Sequence, residues 1–98
     1  MIFILDDKKY DTEKSEVVLK YKKKFEGMIL WGRQLYDWCS MTLYKTQKGN
    51  WFSVREIDKG GLKSYIAYKH SKAAAKEILS DLNEVELIEK HFETMEEG

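Results

Sequence analysis

The chain has 98 residues, of which 43% are hydrophobic and 13% aromatic, and its formal net charge at pH 7 is zero. This length fits one small domain, and this composition is typical of a folded protein and not of a disordered one. No apolar run approaches the roughly 20 residues that a membrane-spanning helix needs. The single cysteine, Cys39, cannot form an internal disulfide, which favours a reducing cytoplasm. We expect one cytoplasmic domain over residues 1–98, with no membrane partner.

The first predicted element is a small hairpin at the N-terminus. Ile2–Leu5 has the apolar character of a short strand, a two-residue Asp-Asp turn follows, and Lys8–Tyr10 runs back. A helical turn is then predicted over residues 11–16, because either Asp11 or Thr12 can cap its free N–H groups.

Residues 17–38 give a weaker pattern. The apolar residues 17–19 fit either a continued helix or a strand, and a lysine-rich run follows at 20–24. Gly27 is expected to end this element, because glycine weakens both helices and strands. No element is assigned to residues 28–31, which read Met-Ile-Leu-Trp.

The clearest prediction is a β-hairpin that begins near Leu35. Gln47–Gly49 fits a three-residue loop, because glycine adopts the left-handed conformation that such a loop requires. This loop sets a register in which Tyr44 faces Phe52 and Thr42 faces Val54 on one side, while Met41, Leu43 and Lys45 face Arg55, Ser53 and Trp51 on the other. The first side is predicted to be the core side and the second to be mixed, and a slip of one residue would exchange them.

A turn, a strand and two helices are predicted after this hairpin. The turn covers Asp58–Gly61 and the strand, at a sheet edge, covers Tyr65–Tyr68. Ser71 is expected to cap a helix, because Ala73–Leu79 favours helix strongly. The residues that share its apolar face at helical spacing are Ala75, Ile78, Leu79 and Leu82.

Asn83 and Glu86 fit a capping pattern for a second helix. Its apolar stripe would consist of Val85, Ile88 and Phe92, with Leu87 and His91 on its margin. One bent helix from Lys72 to Glu93 is the alternative. The predicted fold class is therefore α+β, a small, mostly antiparallel sheet with one or two C-terminal helices packed on one face. Residues 1–70 are mainly strands, 71–93 are helical and 94–98 form a frayed tail.

Charge is unevenly distributed along the chain. Residues 1–70 carry 14 Lys and Arg against 9 Asp and Glu, a net charge of +5, whereas residues 71–98 carry 3 against 8, a net charge of −5. Such polarity steers charged partners without identifying them. The acidic C-terminal run is more typical of a solvated helix face than of a nucleic-acid mimic.

Two motifs resemble a family of small proteins from Firmicutes, their phages and their mobile elements. Lys9–Lys14 reads KYDTEK and Leu43–Phe52 reads LYKTQKGNWF, and the family pairs K-Y-D-T-E with L-Y-x-T-x-K-G-N-W-F before an acidic helical segment. The chain departs from this pattern in the more apolar Phe25–Trp38 segment and in lacking much of the polar insert after Gly61. The resemblance implies a bacterial host cell as the setting and antagonism of host defence, including anti-CRISPR inhibition, as the activity.

Catalysis has little support in the sequence. Cys39 with His70 or His91 would be the only thiol-based candidate, and neither histidine lies in a recognisable motif. One cysteine and two distant histidines do not supply a zinc site, and the Gly60-Gly61 pair lacks the other residues of a phosphate-binding loop. We expect a protein that is not an enzyme and that has no catalytic residues, bound metal or cofactor.

Lysine, arginine and aromatic residues lie close together in the hairpin and suit a binding surface. Lysine and arginine contact phosphates, aromatic rings stack on bases, and Trp, Tyr, Met and Arg are also enriched at protein interfaces. The candidate binding residues are Lys45, Lys48, Trp51 and Arg55 on the hairpin, with Lys22, Lys23 and Lys24 as a second basic patch. The alternative is that the C-terminal helices cover Trp51.

The resemblance, together with residues that suit binding, implies a non-enzymatic inhibitor that binds a host protein or ribonucleoprotein complex, such as a CRISPR effector, and blocks it sterically. A small nucleic-acid-binding accessory protein is the second hypothesis, although the near-neutral sequence pI of 6.7 argues against avid nonspecific binding. A homodimer that binds no ligand is the third.

Overall fold

The computed structural model describes residues 1–92 of the chain. Its elements are β1 (Ile2–Leu5), β2 (Lys8–Asp11), a 3₁₀ turn (Thr12–Lys14), β3 (Glu16–Leu30), β4 (Arg33–Lys45), β5 (Trp51–Lys59), β6 (Leu62–His70), α1 (Lys72–Asp81) and α2 (Val85–His91). Strands β3–β6 form an antiparallel sheet in chain order, and β1 and β2 form a separate two-stranded sheet. The predicted α+β class is confirmed. The predicted end of the helical region at Glu93 and the frayed tail lie outside the described residues.

The N-terminal hairpin has the predicted turn. Asp6 and Asp7 both have positive φ, 50° and 61°, which is the backbone conformation of a two-residue type I′ hairpin turn. The 3₁₀ turn that follows is capped by Asp11, whose side chain accepts a hydrogen bond from the backbone N–H of Glu13 at 3.0 Å. Of the two predicted caps, the structure therefore selects Asp11.

The β4–β5 hairpin has the predicted loop and register. Gly49 takes a φ of +85°, its N–H donates to the carbonyl of Thr46 at 2.9 Å, and Tyr44 pairs with Phe52. The expectation that only one side of this hairpin is a core side is wrong. Leu43 and Phe52 point to opposite sides of the sheet and both have no exposed surface, so both sides of the hairpin are buried.

Each side of the sheet has its own cover. On the side that we call the helix face, Leu43 and Trp51 pack against Leu79 of α1 and Ile88 of α2. On the side that we call the opposite face, Phe52 and Val54 pack against Tyr10 of β2, together with Phe3, Leu5, Tyr44 and Ala67. The part of the sheet that contains these residues, which we call the proximal sheet, is therefore the middle layer of three.

Two separate C-terminal helices are present, as one of the two alternatives predicted. Ser71 caps α1 by accepting from the N–H of Ala74 at 3.0 Å, which confirms that prediction. The capping role of Asn83 is wrong: Asn83 has a φ of +57° and Glu84 occupies the N-cap of α2 without a side-chain hydrogen bond. A left-handed residue ends α1 and reverses the chain, so it cannot also begin α2.

The buried faces of the two helices differ slightly from the predicted ones. Leu82 in α1's predicted stripe and Val85 in α2's are exposed, whereas Leu87, predicted to be marginal, packs against the core. The buried side of α2 therefore centres on Ile88 and Leu87.

The prediction that Gly27 ends an element is wrong. Strand β3 continues through Gly27 to Leu30, and the pairing with β4 contains a β-bulge between the pairs Glu26/Tyr36 and Ile29/Gln34. The side-chain amide of Gln34 donates to the carbonyl of Gly27 at 3.0 Å and to that of Leu35 at 2.8 Å. The bulge thus absorbs the glycine, and a glutamine side chain satisfies the carbonyl that the interrupted ladder leaves free.

Candidate functional site

The β3–β4 hairpin extends beyond the rest of the sheet. Strand β4 pairs with β3 along its whole length, but it pairs with β5 only from Ser40 to Lys45. Residues 24–38, which we call the distal arm, therefore form a two-stranded ribbon without a third strand. At about 3.3 Å per residue, the ribbon extends roughly 20 Å from the pair Lys24/Trp38 to its tip.

The distal arm exposes many large apolar side chains. Seven of them, each between 42% and 91% exposed, are Met28, Ile29, Leu30, Trp31, Leu35, Tyr36 and Trp38. They lie on both faces of the ribbon and at its tip, because residues that alternate along a strand point to opposite sides. Neither the helices nor the β1–β2 sheet covers them.

The tip of the distal arm is a two-residue turn built from Trp31 and Gly32. Both residues have positive φ, 54° and 74°, and the flanking residues Leu30 and Arg33 pair directly. This is the type I′ geometry, for which asparagine followed by glycine is the preferred sequence. A bulky side chain in the left-handed region costs about 1–2 kcal/mol. Trp31 bears this cost although it is 91% exposed, so its ring contributes little to folding.

Three lysines follow the opposite face of β3 toward the arm. Lys20, Lys22 and Lys24 pair across the ladder with Thr42, Ser40 and Trp38. Alternate residues of a strand are about 6.6 Å apart, so the backbone positions of the three lysines form an evenly spaced row. The Nζ atom of Lys24 also lies 4.0 Å from the ring centroid of Tyr36.

Lys20 and Lys22 of this row line a groove, and Lys24 lies next along the strand beyond it. The groove has a volume of about 440 Å³, and its floor includes Ser40, Thr42 and Val54, while Tyr44 and Tyr65 contribute aromatic surface. Glu56 also lines it, but the carboxylate of Glu56 forms an ion pair with Lys63 at 3.3 Å. Among residues 1–92, none of the three row lysines has a carboxylate within ion-pair distance.

Trp51, the aromatic centre of the predicted hairpin site, is only 3% exposed. Its indole stacks on Phe92 with ring centroids 5.2 Å apart and contacts the His91 ring edge-on at 5.5 Å. Lys45 lies over the same indole at 5.4 Å, with its Nζ 3.5 Å from Nδ1 of His91. The alternative in which the helices cover Trp51 is therefore the one that the structure has, and this ring is not available for stacking on a ligand.

The remaining predicted residues separate into two places. Arg55 lies on the helix face with its guanidinium 3.8 Å from the ring centroid of Phe25. The Nζ atom of Lys23 lies 5.4 Å from the centroid of the same ring. Hydrogen bonds with Tyr68 and Cys39 raise the pKa of Arg55. Lys48 is exposed in the loop at the other end of the hairpin, so the predicted residues do not form one surface.

A buried polar network lies under the helix face. Ser53, which has no exposed surface, has its Oγ 2.7 Å from Nε2 of His70 and 3.1 Å from the hydroxyl of Tyr21. Burial, and to a smaller extent Lys23, lowers the pKa of His70. A serine beside a histidine suits nucleophilic catalysis only if a substrate reaches the hydroxyl, and a fully buried Ser53 is inaccessible. The network satisfies polar groups inside the core.

Metal and membrane features were also sought within the described residues. Residues 1–92 contain no group of three or more His, Cys, Asp and Glu side chains that could hold a metal ion. None of the helices among them has the length and apolar character to cross a membrane. Cys39 is buried.

Sequence reasoning missed the residues of the distal arm, above all Trp31 and Trp38. The available signal was the apolar run at 28–31 immediately before Gly32. A tryptophan at the first turn position is an unusual turn residue, and Gly27 suggested a break instead of a bulge. Comparison with protein-family models, with curated proteins and with solved structures finds no match to this chain.

Proposed function

We propose that this protein is a non-enzymatic binding protein that acts by inserting its distal arm into a surface of a larger protein or ribonucleoprotein partner. The observation that carries this proposal is the apolar patch on the arm. Trp31 is 91% and Trp38 67% exposed. Because a tryptophan buries up to about 250 Å² in a contact, these two rings alone offer roughly 300–400 Å².

That area is already comparable to the largest apolar patch on a typical monomer, about 300–600 Å². Five further apolar side chains of the arm add to it. Patches of this size mark interaction sites, and tryptophan and tyrosine are the residues most enriched at binding hot spots. The conformation of Trp31 adds a second argument, because a costly turn residue without a packing role suits an anchor for a partner.

The proposed target class is a host-defence complex of a bacterial cell, with a CRISPR effector as the leading candidate. This part of the proposal derives from the resemblance of the segments 9–14 and 43–52 to proteins of phages and mobile elements. The mechanism is steric: an arm about 20 Å long occupies a channel or an assembly contact that the effector needs. No chemistry is required of the inhibitor.

The test measures target cleavage by a purified CRISPR effector, with this protein added at increasing concentration. The wild-type protein is expected to inhibit, and a Trp31→Ser/Ile29→Ser variant is expected to lose inhibition by at least about tenfold, as for the loss of a hot spot. Leu62→Ser is the matched control, because Leu62 is 81% exposed at the tip of the β5–β6 hairpin.

Equal inhibition by the arm variant and by the wild-type protein would refute the role of the arm. Absence of inhibition across representative effector types would refute the target class. A pull-down from nuclease-treated lysate with the same three proteins then asks whether another protein partner depends on the arm, and size-exclusion chromatography asks whether a second copy is that partner.

A further inference from the structure

We propose that the groove beside the lysine row binds single-stranded nucleic acid, with Lys20, Lys22 and Lys24 contacting successive phosphates and Trp38 stacking on a base. This inference concerns the opposite face of the sheet and not the tip of the arm, and it shares only Lys24 and Trp38, at the base of the arm, with the proposed function. It replaces the hairpin around Trp51 as the place where cations and an accessible ring meet.

The charges of the groove suit a polyanion. The three lysines lie on one face of one strand at about 6.6 Å intervals, and each is exposed. The one acidic side chain among the residues that line the groove, Glu56, is neutralised by Lys63. A row of unpaired cations beside a polar floor offers phosphate contacts along a path instead of at a single point.

Rings inside and next to the groove suit bases. Trp38 lies outside the groove lining, directly opposite Lys24 in the ladder, and is 67% exposed, so its indole is open at the outer end of the lysine row. Tyr65 is exposed along the groove itself. Grooves that combine cations for the backbone with rings for successive bases are the usual binding sites of single strands.

The polar floor of the groove favours a single strand over a duplex. Met1 and Tyr44 also line the groove, on the face where the β1–β2 sheet packs. The hydroxyls of Ser40 and Thr42 on the floor can hydrogen-bond base edges, which a duplex keeps paired. An acidic peptide would use the lysines, but it would leave Trp38 without a partner.

The experiment measures fluorescence anisotropy of a labelled oligothymidylate of about 12 nucleotides, a length within the usual site size. We expect binding that weakens with salt with a slope of about −2, since each phosphate contact on a single strand contributes about −0.7. Trp38→Ala is expected to weaken binding about 5- to 100-fold, the usual loss for one stacked base. The wild-type protein is expected to bind an abasic strand of equal length as weakly as the Trp38→Ala variant binds the oligothymidylate.

The matched lysine control is on the same strand. Lys22→Gln is expected to lower the salt slope by about 0.7, whereas Lys23→Gln, which changes the neighbouring residue on the helix face, leaves that slope unchanged. Trp31→Ser at the tip is expected to bind the oligonucleotide like the wild-type protein, which separates this inference from the proposed function. All variants alter exposed side chains, and circular dichroism checks that each is folded.

An oligouridylate tested alongside asks whether the groove also accepts a strand of RNA. The inference is overturned if the wild-type protein fails to bind either oligonucleotide at low salt. It is equally overturned if the abasic strand binds as tightly as the others, because the surface would then be a general polyanion site, or if Lys22→Gln and Lys23→Gln have the same effect.

Discussion

The proximal sheet and the distal arm are built from the same two strands but have different surroundings. Around Leu43 both faces of β4 are covered, by helices on one side and by the β1–β2 sheet on the other, and Leu43 has no exposed surface. Beyond Ser40, toward the N-terminal end of β4, the strand no longer pairs with β5, and neither the helices nor the β1–β2 sheet covers it. Apolar residues nevertheless continue to the tip, so hydrophobic side chains are buried in one region and exposed in the other.

The sharpest way to test this contrast is to truncate an apolar side chain in each region. Leu43→Ala is expected to lower the free energy of unfolding by about 2–5 kcal/mol, because it leaves a cavity in a fully packed core. Ile29→Ala is expected to change it by less than about 0.5 kcal/mol, because Ile29 is 70% exposed.

Urea denaturation followed by circular dichroism measures both values. Similar losses for the two variants would mean that the arm is packed in solution, and the distinction between the two regions would fail.

The polar core of the proximal sheet gives the next largest effect. Ser53→Ala is expected to cost about 1–3 kcal/mol of unfolding free energy, because it leaves the buried groups of His70 and Tyr21 without their shared partner. Ser40→Ala, on the exposed part of β4, is the control and is expected to be nearly neutral. A neutral Ser53→Ala would indicate that water replaces the hydroxyl.

In the distal arm, a substitution is expected to stabilise. Trp31→Asn creates the Asn-Gly pair that type I′ turns prefer, and relief of the left-handed tryptophan is worth about 1 kcal/mol to the turn. Hydrogen exchange of the Leu30 and Arg33 amides, which flank the turn, is expected to slow.

The same variant is expected to lose inhibition of the effector. Stability and binding would then change in opposite directions at one residue. A variant that loses stability instead would show that the Trp31 ring packs on the arm.

The smallest expected effect is on pH dependence, and it is confined to the proximal region. Burial lowers the pKa values of His70 and His91 from the ordinary value of 6.5. The unfolded chain therefore binds protons more readily than the folded chain. The free energy of unfolding is expected to be highest above about pH 6.5 and to fall as the pH drops below that value.

Urea midpoints at pH 7.5 and 5.5 measure this change, and His91→Gln is expected to reduce it. For His91, Glu16 opposes the effect of burial, because its Oε2 lies 3.2 Å from Nε2 and favours the protonated ring. Greater stability at the lower pH would mean that this carboxylate dominates.

The sequence predicted the elements whose local chemistry and long-range packing agree. Gly49 allowed one loop, that loop fixed the register of β4 with β5, and Ser71 marked the start of α1. It was harder to predict which elements cover each face of the sheet. Phe52 and Trp51 are both large aromatic residues, and the local sequence does not indicate that both are buried. The hairpin's two faces were therefore ranked wrongly.

The candidate site lay where the local signals conflicted. Gly27 weakens a strand, but a β-bulge accommodates it. Gln34, seven residues further along the chain, stabilises this bulge. Trp31 is a poor turn residue in isolation. Its position at the tip follows only from the pairing of Leu30 with Arg33, which a single sequence does not reveal.

The free side of β3 has a consequence for how the protein behaves at high concentration. As an outer strand of the sheet, β3 presents unpaired backbone groups that can join a strand of another molecule and start aggregation. Charged lysines along residues 20–24 oppose such pairing, whereas the stretch from Gly27 to Leu30 has no charge to do so. On β3 the aggregation liability is thus confined to the arm, where a bound partner would cover it, and loss of the lysines would extend it toward the core.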